Sequence, residues 1–435
     1  MRIPALPTVW NVYNLRGSPF FQDTLVQNHD HRSLDLFVGR QAELDSLRRY
    51  LHGRDGTRQA LGGVSGVGKT TLVQMLKVQA VADHYFATET LVPFMTGDTP
   101  ETFFGRVLGA VYETILANRP MCGGNPAMQA AQQMVRAARL PTGGGGLSLF
   151  GFGSTFTKGV TLTAPKDILI DGPRVLRDLL TMIRETGEVR GLLLHLNNLE
   201  NLTTGDLAGA ADVLLSLRDN LLMQEGLHVI LVGTTDAVNE VVNKYPQIRN
   251  VFRTPVHLQP LHLPEVHELL RVRYHHWRLD RKRSASPPVE PAAIDRLFEA
   301  FQGDLRGLLK ALDDGAEECI GLRYPIPSAA SPSVVPPVAL AELAEALQAR
   351  YYALMHSELD EPRVEPLEQW LRHDPAAVLT QKDLMSLWSL SQGGVSQVLS
   401  DLVGAGYVFA HPRKGKGAIQ YGLSGKSRLI GGIVG

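Results

Sequence analysis

The sequence predicts an α/β protein, with a parallel sheet covered by helices on both faces, then a small helical segment and a separate C-terminal domain. Between residues 59 and 258, short apolar runs alternate with amphipathic helical patterns, which is typical of such a sheet. From Pro264 to Leu322 the pattern is helical throughout. A Pro/Ser/Ala-rich stretch at 325–338 then indicates an extended linker.

The alternating part predicts five strands, near Gln59–Gly63, Tyr85–Phe94, Leu192–Leu196, Val229–Gly233 and Thr254–Leu258. The helices between them are expected near Thr70–Gln79, Pro100–Ala117, Pro173–Glu185, Asp206–Leu222 and Ala237–Asn243. The predicted divisions are an N-terminal extension at 1–35, a core at 36–262, a helical lid at 263–324, the linker at 325–338 and a C-terminal domain at 339–435.

Composition narrows the class of protein. A chain of 435 residues is too long for one ordinary core. Its formal charge of -1 excludes a uniformly basic nucleic-acid coat, though not a local basic patch. The two cysteines, Cys122 and Cys319, lie far apart, which argues against disulfides and zinc and for a reducing compartment. Because no apolar run suits a membrane span or signal peptide, we expect a cytoplasmic protein with no membrane partner.

A phosphate-binding loop (P-loop) follows the first predicted strand and opens a helical pattern. Residues Gly63-Val64-Ser65-Gly66-Val67-Gly68-Lys69-Thr70 match G-x-x-x-x-G-K-[ST]. The glycines let backbone N–H groups converge on phosphates, Lys69 supplies a cation, and the Thr70 hydroxyl ligates Mg²⁺. Thr71 is expected at the α-phosphate. The sequence thus predicts a site for ATP and Mg²⁺, with a chance glycine turn as the alternative.

Two segments flanking this loop carry further motifs. Upstream stands Leu36-Phe37-Val38-Gly39-Arg40 with Glu43, and downstream Gly303-Asp304-Leu305-Arg306 opens a helix. Together with the P-loop they resemble AAA+ ATPases of the origin-recognition/initiator type. The resemblance implies that Val38, Gly39 and Arg40 contact the adenine and that Arg306 touches the γ-phosphate from the lid. It spans 36–306, and signal-transduction ATPases with numerous domains share most of these features.

The end of the third strand departs from that family pattern. Four apolar residues followed by Asp-Glu are typical there, whereas this chain has Asn197 and Asn198. An amide accepts a hydrogen bond from metal-bound water but is a poor general base. Glu200 is the nearest carboxylate that could substitute. The departure predicts a protein that binds ATP firmly and hydrolyses it slowly.

The resemblance implies two more nucleotide contacts. Thr234, after the fourth strand, stands where AAA+ proteins carry a γ-phosphate sensor, although a helix cap is the alternative. Arg249 stands where they place the arginine finger that reaches a neighbouring subunit, and it fits slightly better than Arg253. A solvated surface arginine is the alternative there. An arginine finger would imply self-assembly or a partner protein through the ATPase face.

The C-terminal domain resembles a winged helix. Thr380 can cap a helix that runs to Trp388, a turn follows, and a second helix is expected at Gln392–Val403. Two alternating strands, Tyr407–Ala410 and Ala418–Leu423, then flank a basic turn. Winged-helix domains follow the lid in origin-recognition-type ATPases.

Charge in this domain predicts DNA binding. From Leu402 to the end of the chain there are basic residues and no acidic one. The expected contacts to double-stranded DNA are Gln392, Ser396, Gln397 and Ser400 on the second helix and Arg413, Lys414 and Lys416 at the wing tip. A winged helix used for protein packing or dimerisation is the alternative.

Two further stretches allow more than one interpretation. Residues 271–283 are basic and aromatic, typical either of a nucleic-acid contact or, more often, of a solvated helix face. Residues 142–160 indicate a glycine-rich insertion that could touch DNA, a second subunit or its own domain.

The sequence thus favours an ATP-binding, DNA-binding AAA+ protein whose nucleotide state controls DNA engagement and self-assembly. Replication initiation, DNA mobility and genome defence are the settings that the resemblance implies. The alternative is a signalling ATPase whose winged helix mediates protein packing and whose output is recruitment of an effector.

Overall fold

The computed structural model describes residues 8–23, 25, 33–139, 168–324, 335–411 and 417–432. These form two compact units. The first unit takes the chain up to Gly39, the short segment Ser65–Val67 and the chain from Gln259 onwards. The second takes Arg40–Val64 and Gly68–Leu258.

The second unit contains the predicted sheet. Its strands are β1 Arg58–Gly63, β2 Tyr85–Ala87, β3 Val92–Pro93, β4 Gly191–Asn197, β5 Leu227–Gly233 and β6 Val256–Leu258. Its helices are α1 Gln41–His52, α2 Lys69–Ala82, α3 Pro100–Asn118, α4 Pro126–Arg139, α5 Ile168–Glu185, α6 Thr204–Ser216, α7 Thr235–Asn243 and α8 Pro246–Arg249. Strands β2, β4, β5, β1 and β6 lie side by side in that order, β3 also pairs with β4, and every pairing is parallel.

Helices cover both faces of this sheet, as predicted. Successive side chains of a strand point to opposite faces. On β4, Leu192, Leu194 and Leu196 belong to one buried cluster with α3–α8. Leu193 and His195 lie outside that cluster and face the side on which α2 packs. The predicted α/β class with a P-loop sheet is therefore confirmed.

Three predicted elements of this unit differ most from the observed ones. The strand expected at 85–94 is two short strands, because the chain between them bends and Thr88 Oγ1 accepts the His195 N–H at 3.3 Å. Helix α5 begins at Ile168 rather than at Pro173, so Pro173 lies inside the helix, in its second turn. Helix α6 ends at Ser216, and a π-turn covers 218–222.

The first unit is mainly helical. Its helices are α9 Leu263–His276, α10 Pro291–Phe301, α11 Leu305–Arg323, α12 Leu340–Glu358, α13 Glu361–His373, α14 Gln381–Trp388, α15 Gln392–Gly404 and α16 Gly425–Ile430. Its strands are β7 Val378–Thr380, β8 Val408–Ala410 and β9 Gln420–Leu423, which form an antiparallel sheet in the order β7, β9, β8. The predicted order of helix, turn, helix and two strands is present.

One core runs through this unit. Trp10, Tyr13 and Phe20 of the N-terminal segment are buried in the same cluster as the helices of the lid and of the C-terminal domain. The Tyr13 hydroxyl donates to the Pro336 carbonyl at 2.8 Å. Val338, at the end of the predicted linker, is buried and bridges to Val289. The N-terminal extension, the lid and the C-terminal domain predicted from sequence thus contribute to one hydrophobic core. Within the described ranges, no helix is long and apolar enough to cross a membrane.

Helix α2 carries a buried lysine, Lys77. Lys77 is 5% exposed, and its Nζ has no hydrogen-bond partner among the described residues. Burial lowers the pKa of its ammonium from 10.5 to about 8, against a smaller opposing effect of Glu89. Burial, with a further contribution from the Lys77 charge, also holds the pKa of His195 well below 6.5. The second unit therefore carries an unpaired buried cation at neutral pH.

Lys77→Met is expected to raise the free energy of unfolding by about 3 kcal/mol at pH 7, because one pKa unit corresponds to about 1.4 kcal/mol. The folded-state pKa is lowered, so the unfolded chain holds more protons between pH 8 and 10.5. Stability should accordingly rise over that window in the parent and not in the variant. Denaturant titrations at pH 7, 8.5 and 10 measure this, with exposed Lys310→Met as the control. An unchanged pH profile would contradict it.

Candidate nucleotide and nucleic-acid sites

The P-loop sequence forms the turn that its motif requires. Strand β1 ends at Gly63 and α2 begins at Lys69, so the motif connects a strand to a helix N-terminus. Gly66 and Gly68 have φ of +77° and +97°, a region that side chains other than glycine enter at a cost. Backbone N–H groups at such a turn form an anion-binding concavity. Thr70 and Thr71 lie half-buried in the first turn of α2.

Lys69 is held by three partners. Its side chain is 7% exposed, and its Nζ lies 3.1 Å from Glu200 Oε2. The same Nζ donates to the Gly63 and Val64 carbonyls, each at 3.0 Å. An ammonium has three donors, so each can be matched to one of these oxygens. The lysine that would contact phosphate is thus oriented by its own loop and by the carboxylate that sequence reasoning selected.

The asparagines after β4 have different surroundings. Asn197 is the last residue of β4, half-buried, and its carbonyl accepts the Phe94 N–H at 3.0 Å. Asn198 has φ of +76°, which asparagine tolerates better than most residues. Its Nδ2 donates to the Phe94 carbonyl at 3.0 Å, and its Oδ1 accepts from Asn201 Nδ2. Asn198 thereby fastens the loop, and the short turn 199–201 brings Glu200 to Lys69.

Thr234 and Arg249 both lie in the second unit, which also contains Lys69 and Glu200. Thr234 is the N-cap of α7, where its Oγ1 accepts the Ala237 N–H at 3.3 Å. This is the capping role given as the alternative. Arg249 is exposed at the end of α8, whereas the Arg253 guanidinium lies 4.8 Å from the Tyr50 ring centroid. Between the two arginines, Arg249 is the freer to reach outwards.

The upstream motif is explained by two local contacts. Arg40 is buried at the start of α1 and pairs with Glu43 at 3.2 Å, which accounts for their spacing. Gly39 has φ of +76°, and a Cβ built there would lie 2.9 Å from Leu261. Val38 packs against the core of the first unit.

Arg306 is exposed near the start of α11 in the first unit. Gly66, which belongs to the same unit, packs against it, because a Cβ built on Gly66 would lie 3.0 Å from the Arg306 Cβ. Asp304, which sequence reasoning did not select, caps α11 by accepting the Gly307 N–H at 3.0 Å. Its Oδ1 would lie 3.1 Å from the same built Cβ. An N-cap Asp before an apolar helix was the available signal.

The predicted DNA contacts on α15 share one exposed surface. Its members are Gln392, Ser396, Gln397 and Ser400. Gln381 Nε2 donates to Ser396 Oγ at 2.6 Å and to the Gln392 carbonyl at 3.2 Å. Gln397 donates to Asp401, which also pairs with Arg363. Arg413, Lys414 and Lys416 lie outside the described residues, as does the 142–160 insertion.

The basic 271–283 stretch divides into two parts. Arg273 is buried and donates to the Pro19 and Phe21 carbonyls at 3.0 and 2.8 Å. Burial lowers the pKa of its guanidinium to about 9. Arg273 therefore holds the N-terminal segment in place and is not a solvated helix-face residue. Arg281, Lys282 and Arg283 are exposed in the turn after α9.

Comparison with known proteins gives structural likeness only. No family model and no curated protein matches the chain. The chain is similar to the Aeropyrum pernix ORC2 protein in its ADP form (15% identity, TM-score 0.46, 96% of each chain covered). It is also similar to the Aeropyrum pernix ORC1 protein in complex with DNA (15%, TM-score 0.43, 91% of this chain and 93% of that one). It is similar as well to Drosophila ORC bound to DNA (13% identity, TM-score 0.43, 99% of this chain and 93% of that one covered).

Proposed function

We propose that this chain is an ATP-binding, DNA-binding AAA+ protein of the origin-recognition/initiator type, in which nucleotide state controls DNA engagement and self-assembly. The observation that carries the proposal is the P-loop turn with the buried, oriented Lys69. The positive-φ glycines, the α2 N-terminus and this lysine suit a triphosphate. The Thr70 hydroxyl would hold Mg²⁺ together with the phosphates.

Slow turnover is part of the proposal. Neither residue after the apolar part of β4 is a carboxylate, and Asn198 is engaged in fastening its own loop. Glu200, the candidate base, pairs with Lys69. The site thus suits retention of ATP better than rapid hydrolysis, in keeping with a nucleotide-controlled switch in replication initiation, DNA mobility or genome defence.

DNA engagement is assigned to the C-terminal domain. The exposed face of α15 offers neutral hydrogen-bonding groups, and the sequence between β8 and β9 supplies Arg413, Lys414 and Lys416. Such groups suit base edges and phosphates respectively. The alternative, a signalling ATPase with a packing domain, is favoured by one observation. Part of the α15 face is already bonded to Gln381 and Asp401.

One binding experiment tests the proposal. Anisotropy of a labelled 30-bp duplex is expected to give affinities that differ at least five-fold between ATP and ADP, the lower end of usual allosteric coupling. Charge reversal of Arg413, Lys414 and Lys416 should abolish DNA binding and leave ATP affinity unchanged. Light scattering with each nucleotide reports self-assembly. Absence of DNA affinity in every nucleotide state would reject the proposal in favour of the signalling alternative.

A further inference from the structure

The turn after α9 is ordered by the N-terminal segment. Asn14, in the left-handed region at φ +61°, accepts the Asp280 N–H on its Oδ1 at 2.8 Å. Its Nδ2 lies 3.0 to 3.3 Å from the carbonyls of Asp280, Arg283 and Ser284. The Leu279 N–H donates to the Asn14 carbonyl at 2.9 Å. One asparagine thus fixes both ends of the turn.

This turn carries a concentrated positive charge. Arg281, Lys282 and Arg283 are consecutive and exposed, and none is ion-paired with a described residue. The Arg278 guanidinium is oriented beside them by the His275 and Arg281 carbonyls at 2.9 and 3.2 Å. The single carboxylate in the turn, that of Asp280, accepts the Lys282 N–H at 2.9 Å.

Three other exposed cations of the same unit are ion-paired instead. Arg271, Arg296 and Lys310 each pair with a carboxylate three or four residues away on their own helix. Neighbouring like charges repel and cost stability. A turn that holds unpaired cations together on a fixed backbone is therefore suited to binding a polyanion, because less ordering is needed on binding.

We propose that residues 278–283 form a second contact to the phosphodiester backbone of duplex DNA, separate from the C-terminal helix–turn–helix. The inference rests on the proposed function, since DNA binding by this chain selects duplex DNA among polyanions. The neighbouring cations contact phosphates without reading sequence. The turn adds affinity and salt dependence and leaves sequence preference to the C-terminal domain.

The experiment uses the full chain and anisotropy of duplex DNA between 50 and 200 mM salt. Arg281→Gln/Lys282→Gln/Arg283→Gln is expected to weaken binding at least ten-fold and to reduce the slope of log K against log salt by about 2 to 3, at about 0.9 for each phosphate. The control Arg271→Gln/Arg296→Gln/Lys310→Gln removes equal charge from paired positions. It should change affinity less than two-fold.

Each outcome decides between the two proposals. If the parent binds DNA and the turn variant matches the control, the second contact is rejected and the proposed function stands. If the parent binds no DNA, both are rejected. Binding of poly-glutamate as tight as that of DNA at equal salt would also reject the DNA contact in favour of an acidic protein partner. Asn14→Gly keeps every cation and the left-handed backbone, so weaker DNA binding by this variant would support the role of the fixed turn, and unchanged binding would reject it.

Discussion

Replacing Glu200 with Gln is expected to separate ATP binding from ATP turnover. Turnover should fall about 100-fold, within the range that a positioned base contributes, because Glu200 is the carboxylate nearest the P-loop lysine. ATP affinity should rise about two- to five-fold, because the Lys69–Glu200 pair competes with phosphate for the ammonium. The gain is small since Glu200 is 33% exposed and partly screened pairs contribute at most about 1 kcal/mol.

Two further variants serve as controls for Glu200→Gln, one expected to lose ATP binding and one expected to change nothing. Lys69→Met removes the cation and is expected to lower ATP affinity at least about 100-fold, in line with the loss of charge-assisted bonds to phosphate. Glu188→Gln removes an exposed carboxylate of the same unit, paired with Arg119, and should alter neither quantity. Calorimetry gives the affinity, and single-turnover phosphate release gives the rate. An unchanged rate in Glu200→Gln would leave Glu200 with only an ion-pairing role.

The sequence predicted those parts whose pattern is local. The P-loop from Gly63 to Thr70 is contiguous, and two of its glycines, Gly66 and Gly68, have positive φ. Thr380 caps α14, as its position predicted. Glu200 is the carboxylate nearest to Asn197 and Asn198 along the chain, and the structure pairs it with Lys69.

Features that depend on long-range packing were not predicted. Strand β7 has only three residues and is defined by pairing with β9, 40 to 44 positions away. Burial of Trp10 and Tyr13 depends on helices that follow residue 260. Asn198 looked like a substituted catalytic residue, although its φ and its bond to the Phe94 carbonyl give it a loop-fastening role. Each of these needs a partner that no local pattern identifies.

Gly425→Ala is expected to destabilise the first unit by about 1 to 3 kcal/mol, the usual cost of overpacking. Gly425 is the first residue of α16. It follows Ser424, which caps this helix and comes directly after strand β9. A Cβ built there would lie 2.2 Å from Cδ1 and 2.5 Å from Cγ of Phe301, a buried ring at the end of α10. Neither the ring nor the α16 backbone can move without disturbing the core they share.

Gly404→Ala is the matched control, because Gly404 is exposed at the end of α15 and a Cβ there would meet nothing within 4 Å. That variant should be neutral or gain up to about 1 kcal/mol from reduced chain entropy. Thermal melting compares the two variants. Adding Phe301→Leu should recover part of the Gly425→Ala loss in a double-mutant cycle. Equal melting temperatures for the two alanine variants would show that the Phe301 ring can make room for the added Cβ without a loss of stability.

Gly425→Ala is also expected to weaken the proposed control of DNA binding by nucleotide state. The Phe301 ring also lies 2.6 Å from a Cβ built on Gly307, so it supports the first turn of α11. That turn carries Arg306, which lies against Gly66 of the P-loop within the first unit. Displacing the ring should therefore shift both α16, which contacts β9 of the domain proposed to bind DNA, and Arg306 beside Gly66. The ratio of DNA affinities with ATP and ADP should fall towards one in Gly425→Ala and stay at the parent value in Gly404→Ala. An unchanged ratio in a destabilised Gly425→Ala protein would show that nucleotide state acts on DNA binding by a route that avoids Phe301.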